Sequence, residues 1–204
     1  MKKWTFLFWM LILGLLAGCA AVPDVPTRRE ATYPETQGGE AFNGCSEILR
    51  EIWQGYANEE RFAVFGGDPQ NSVADGPGDI EHADTAMLQQ RFFLSAELSA
   101  QITEAAALEH LLNRNVFCAA VFRLAEGTDE VKFAQLLASA LEEVSWEGGR
   151  PQRYLISQPK QGFVLLTYGQ TRVLETFLIR MNQAHPKGRI LAYQEISAKI
   201  SPRV

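Results

Sequence analysis

The second half of the chain alternates between short apolar runs of strand length and longer segments with helical spacing. The predicted strands cover residues 116–124, 153–157, 163–168 and 190–200. Thr128 and Thr171 are helix-capping residues, and each precedes a segment in which apolar residues recur every three or four positions. These stripes comprise Val131, Ala134, Leu137, Leu141 and Val144 in the first helix, and Leu174, Phe177, Leu178 and Met181 in the second. The order of elements is therefore β-α-β-β-α-β.

This order predicts the split βαβ arrangement of ferredoxin-like folds, in which two helices cover one face of an antiparallel sheet. Residues 116–122 and 163–166 are apolar at every position, so we expect both strands to be central and covered on both faces. Helices from the N-terminal half are one candidate cover for the second face. A second copy of the chain or another protein is the alternative.

The segment that follows residue 42 predicts mainly helices. Ser46 precedes an apolar stripe, and residues 61–65 form a short strand-like run. Between residues 83 and 113 the spacing is again helical, with a break expected at Ser95. The apolar positions of this second stretch are Leu98, Ile102, Ala105, Leu108 and Leu112. We therefore expect one α+β domain over residues 42–204, with a mainly helical part at 42–113 and the ferredoxin-like part at 114–204.

The N-terminus has the pattern of a secretory signal. Lys2 and Lys3 precede an uncharged apolar run over residues 4–16, and the run ends in Leu16-Ala17-Gly18-Cys19. This ending resembles the lipobox of bacterial lipoproteins. The resemblance implies that residues 1–18 are removed, that Cys19 is acylated, and that the lipid bilayer holds the chain through it. Ala20 follows the cysteine where inner-membrane lipoproteins tend to have aspartate, which implies the outer membrane, facing the periplasm.

An uncleaved transmembrane anchor is the alternative, since residues 4–22 carry no charge. The small residues around Gly18 fit a cleavage site better than a spanning segment. Residues 19–41 are rich in proline and glycine and have no hydrophobic period, so they predict an acylated tether. Loss of Lys2 and Lys3 moves the formal net charge from −5 to −7. An acidic domain without a basic patch argues against nucleic-acid binding.

Cys45 and Cys118 remain in the mature chain besides Cys19. In an oxidising periplasm two cysteines in distant segments favour a disulfide, and only one pairing is open to them. Two buried free thiols are the alternative. The CxxC spacing of redox-active pairs is absent.

The loop from Gly66 to Asp84 is the most acidic stretch without a hydrophobic period. Its carboxylates include Asp68, Asp75, Asp79 and Glu81, which are weak candidates for a Ca²⁺ site because calcium prefers oxygen ligands. The spacing does not match an EF-hand, and turn residues alone account for such a composition. A solvated surface loop is therefore the alternative, and its length also suits a partner-contact or lid element.

No catalytic motif is present, and we nominate no catalytic residue and no cofactor. His82, His110 and His185 lie far apart in the sequence, without metal-binding spacing. The leading hypothesis is a non-enzymatic envelope lipoprotein that binds a partner protein as an accessory or assembly factor. A small-ligand or Ca²⁺-binding lipoprotein and an envelope hydrolase are the alternatives, and the oligomeric state stays open.

Replacement of the lipobox cysteine tests the membrane anchor. In a Cys19→Ala chain we expect an unprocessed precursor to accumulate, because the cysteine is the acceptor of the lipid and the residue after the cleavage site. Metabolic labelling with palmitate and the apparent mass on a gel measure both steps. Normal maturation of the variant would contradict the prediction.

Overall fold

The computed structural model describes residues 44–197, so the predicted signal peptide, Cys19, the predicted tether and residues 198–204 lie outside the described residues. An antiparallel sheet of eight strands runs through this part of the chain. The strands are β1 (Val64–Gly66), β2 (Val73–Ala74), β3 (Gly78–Ile80), β4 (Ile102–His110), β5 (Phe117–Leu124), β6 (Arg153–Gln158), β7 (Phe163–Gly169) and β8 (Arg189–Glu195). The helices are α1 (Cys45–Gln54), α2 (Thr85–Phe92), α3 (Ala96–Ser99), α4 (Glu130–Glu143) and α5 (Thr171–Ala184), with a 3₁₀ turn at Asn58–Glu60.

The sheet order is β2-β1-β4-β5-β7-β6-β8, and β3 pairs with β4 beside β1. Helices cover both faces, so the domain has three layers. Side chains of α2, α3 and α4 pack on one face, which we call face A. Side chains of α1 and α5 pack on the other, which we call face B.

The residues of β5 show why both layers of helices are needed. All eight residues except Arg123 are buried. Cys118, Ala120 and Phe122 belong to the core of face A, while Ala119 and Val121 belong to the core of face B. The expectation of central strands covered on both sides is therefore confirmed, and α1 supplies part of the second cover.

The α+β class is confirmed, but the ferredoxin-like topology is not. That topology places the last strand beside the first, with both helices on one face. Here β8 pairs with β6, and the flank of β5 that is not paired with β7 pairs with β4. The helices α4 and α5 lie on opposite faces. The reason is that β4 occupies the position that the last strand would need.

The prediction that residues 83–113 are helical, and with it the expectation of a mainly helical part at 42–113, is wrong from residue 102 onward. Residues 102–110 form β4, which is the longest strand. The residues Ala105–Leu108 are all buried because they alternate between the two faces of the sheet. A strand covered on both sides shows no period of two, so the chance spacing of three and four imitated a helix. The expected break is confirmed, since Ser95 Oγ accepts a hydrogen bond from Leu98 N–H at 3.2 Å and caps α3.

The predicted disulfide between Cys45 and Cys118 is not present, and both residues are buried free thiols. Cys45 begins α1 on face B, whereas Cys118 points to face A, so the sheet separates them. The Cys45 Sγ lies 3.4 Å from Glu104 O. Burial raises the pKa of both thiols well above the usual value.

Thiol titration measures this arrangement. In a Cys19→Ser chain without reductant, we expect both thiols to react with a disulfide reagent very slowly in the native state, because buried thiols with raised pKa values form little thiolate. Unfolding in denaturant should then expose two thiols per chain at once. An unfolded chain with no titratable thiol would contradict the structure.

Candidate interaction surface

The connection between β4 and β5 exposes two large apolar side chains. Leu111 is 54% exposed and Leu112 is 85% exposed, and both directly follow the last residue of β4. We call residues 111–116 the tip. A single exposed leucine is common on protein surfaces. Leu111 and Leu112 form a defined surface only where hydrogen bonds fix the backbone of the tip.

His110 anchors the first half of the tip. Its Nδ1 lies 3.2 Å from both Leu112 N and Asn113 N, and each backbone N–H donates to it. Leu111 N–H donates to Ala63 O at 2.9 Å, which continues the pairing of β1 with β4. The backbone N–H groups of residues 111–113 therefore all have partners.

Two asparagines attach the tip to the loop between α4 and β6. Asn113 Nδ2 donates to Gly148 O at 3.2 Å. The buried Asn115 Nδ2 donates to Glu147 O and Gly149 O, each at 2.6 Å. These bonds connect the tip to a second segment of backbone, residues 147–149.

A shallow groove lies beside the tip, along the edge formed by β1 and β2. It has a volume of about 470 Å³ and is lined by Val64, Phe65, Ser72, Ala74, Asp75 and Leu111. Most of these side chains are apolar. The wall at Asp75 is fixed from behind, since Trp53 Nε1 donates to Asp75 O at 3.2 Å. Leu111 belongs to both the tip and the groove, so the two features form one continuous surface.

A buried ion pair supports this surface from face A. Arg91 of α2 donates through Nε to Glu109 Oε1 at 3.0 Å, and through Nη1 to Gly67 O at 3.0 Å. Glu109 is 3% exposed and pairs across the sheet with Cys118. The Tyr168 hydroxyl donates to Arg91 O at 3.3 Å. The Arg91 guanidinium thus connects α2 with Gly67, at the start of the acidic loop, and with Glu109, the second-last residue of β4.

The carboxylates proposed from the sequence as a Ca²⁺ site do not converge. Among residues 44–197 no group of three or more His, Cys, Asp or Glu side chains is placed to hold a metal ion. Asp68 accepts backbone N–H bonds from Gln70, Asn71 and Glu81 at 2.8–3.1 Å. Burial opposes its ionisation, but these hydrogen bonds outweigh burial and hold the pKa of Asp68 below the usual value.

The other three candidates have local or exposed positions. Asp75 sits at a turn with a positive φ of 57°, and Asp79 is exposed on β3. The side chain of Glu81 accepts from Ala83 N–H at 3.0 Å. The acidic loop is therefore ordered by its own carboxylates, and the metal hypothesis has no geometric support in the described residues.

The three histidines belong to different elements of the structure. His82 is at the surface beside Glu81, with 3.9 Å between Nδ1 and the nearest carboxylate oxygen. The buried His185 ends α5, and its Nε2 lies 3.4 Å from Glu51 Oε2 of α1. His110 falls within the stretch of residues 83–113 that was predicted to be helical, but it ends a strand and shapes the tip. Sequence reasoning missed the tip because Leu112 was assigned to the apolar stripe of a helix. The signal available was Asn113-Arg114-Asn115, which favours a turn.

The chain matches no protein-family model, no curated protein and no solved structure. In the part of the chain that the structure describes, no helix is both long and apolar enough to cross a membrane.

The buried ion pair generates a stability prediction. We expect Arg91→Met to lower the free energy of unfolding by about 3–5 kcal/mol, because it leaves the Glu109 carboxylate buried without its cation. The double variant Arg91→Met/Glu109→Met should recover much of that loss. Denaturant unfolding followed by circular dichroism measures all three chains.

The pair Arg153–Glu195, with 2.6 Å between Nη2 and Oε1, serves as a matched control because Glu195 is largely exposed. Arg153→Met should cost no more than about 1 kcal/mol. Equal losses for Arg91→Met and Arg153→Met would show that the buried pair has no special role.

Proposed function

We propose that this protein is a lipid-anchored lipoprotein of the bacterial outer membrane, facing the periplasm, whose domain docks a partner protein through the tip and the groove. In this role it acts as a non-enzymatic accessory or assembly factor of the envelope. The lipobox-like sequence at Leu16–Cys19 supports the anchor, and the surface around Leu111 and Leu112 supports the docking.

The observation that carries the proposal is the exposure of Leu112 on a backbone that is tied down on both sides. Burial of one leucine side chain against a partner contributes about 1.5–3 kcal/mol. Association is weakened when the partner must first order a mobile loop. His110, Asn113 and Asn115 already order the tip, so little of the binding free energy is spent on that step.

The tip lies at the opposite end of β4 from the first residues of the described chain. The described chain begins at Gly44, beside Glu104, and Cys45 N–H donates to Glu104 Oε1 at 2.6 Å. Glu104 lies near the start of β4, while the tip follows its end. Seven residues separate Glu104 from Leu111, and at about 3.3 Å per residue of strand the entry and the tip lie about 23 Å apart. The exposed leucines therefore lie at the far end of β4 from the point where the described chain begins.

Site-specific photocrosslinking in cells tests the proposal. A photoreactive benzoylphenylalanine introduced at Leu112 in the full acylated chain should give one discrete protein adduct, to be identified by mass spectrometry. The matched control carries the same residue at Leu136, which is 40% exposed on α4 and far from the tip in sequence. We expect little or no adduct at Leu136.

Serine substitutions provide the second arm. Leu111→Ser, combined with the photoreactive residue at 112, should reduce the adduct several-fold, whereas Leu136→Ser should leave it unchanged. Each exposed substitution should alter the free energy of unfolding by about 0.5 kcal/mol or less, so loss of folding cannot explain a difference. Equal adducts from positions 112 and 136, or an adduct with lipid alone, would contradict protein docking through the tip.

A further inference from the structure

We infer that His110 is the positioning residue of the docking surface, and that its unprotonated Nδ1 sets the conformation in which Leu112 is presented. The inference rests on the proposed function for its purpose, and on the hydrogen bonds of the tip for its mechanism. The imidazole does not have to touch the partner. It acts through the backbone of residues 112 and 113.

The hydrogen-bond pattern of His110 is that of a turn-forming side chain. Its Nδ1 accepts from the N–H groups two and three residues further on, each at 3.2 Å. Asparagine and aspartate oxygens ordinarily fill this role at the start of a turn. A histidine nitrogen can fill it only while it keeps its lone pair, so the proton of the neutral ring resides on Nε2.

The ring is held in place by the aromatic cluster beneath it. His110 stacks on Phe62, with 5.7 Å between ring centroids and 22° between planes. Phe62 in turn meets Phe117 edge-on at 5.2 Å and Trp53 edge-on at 5.4 Å. The backbone of His110 is also paired with Val64 of β1. Packing therefore fixes the ring, and the ring fixes the turn.

The imidazole has two roles, packing against Phe62 and accepting hydrogen bonds at Nδ1, and substitutions can separate them. His110→Phe retains an aromatic ring on Phe62 but offers no acceptor. His110→Asn loses the ring but places Oδ1 close to the position of Nδ1. A side chain that matters only for packing would tolerate phenylalanine better than asparagine. If His110 positions the turn through its hydrogen bonds, asparagine should be tolerated better than phenylalanine.

Amide hydrogen exchange of the full chain reads out the tip without any partner. We expect His110→Phe to raise the exchange rates of the Leu112 and Asn113 amides about tenfold, in keeping with the loss of one hydrogen bond at each. His110→Asn should restore rates close to those of the wild-type chain. The amides of β5 serve as the internal control, because a change there would report general destabilisation. Nitrogen NMR of the wild-type imidazole should show a proton on Nε2 and none on Nδ1.

The adduct from a photoreactive residue at 112 then links the turn to docking. It should fall about tenfold in His110→Phe and return in His110→Asn. Unchanged exchange in His110→Phe, equal defects in both variants, or a protonated Nδ1 would overturn the assignment of His110. Absence of any adduct from the wild-type chain would overturn the docking function but not the assignment, since exchange and NMR test the latter alone.

Discussion

The burial of β5 and β7 on both faces is the constraint on which the rest of this structure depends. All seven residues of β7 are buried, and all residues of its partner β5 except Arg123 are buried as well. Such strands are stable in water only when helices cover both sides of the sheet. The helices α4 and α5 therefore divide between the faces, and α1 and α2 complete the two covers. An all-antiparallel sheet thus acquires three layers, an arrangement more usual for parallel sheets.

The elements of the second half could be predicted because each has a clean local pattern. The strands β5, β6 and β7 and the helices α4 and α5 lie close to where the spacing of apolar residues placed them. The predicted caps Thr128 and Thr171 were wrong, because Asp129 caps α4 and Gln170 precedes α5. The topology of these elements could not be predicted, because the position of β8 depends on which flank of β5 is free. That flank is taken by β4, whose run of buried alanines carries no period of two. Local patterns report burial along one element, whereas strand order depends on competition among elements.

The candidate site illustrates the same limit. Leu112 belonged to a helical stripe in the sequence, yet it is the most exposed of the large apolar side chains in the described part of the chain. The misassignment of β4 concealed the tip, because the β4–β5 connection was counted as the end of a helix. The prediction of a disulfide between Cys45 and Cys118 was wrong for a related reason. The oxidising compartment expected from the sequence favoured pairing, but the alternation of side chains along β5 directs Cys118 away from α1. A single residue of register decides which face a cysteine joins.

The acidic loop and the tip are connected by hydrogen bonds, although the sequence showed no relation between them. Asp68 closes the loop on its own N–H groups, and Arg91 connects that loop through Gly67 O to Glu109. Glu109 immediately precedes His110, whose ring orders the tip. Two of the carboxylates that suggested calcium, Asp68 and Glu81, thus stabilise backbone instead, and the network that includes Asp68 ends at Glu109, the residue before His110. Because hydrogen bonds are directional, these contacts define the geometry of the last residues of β4, from which the tip continues.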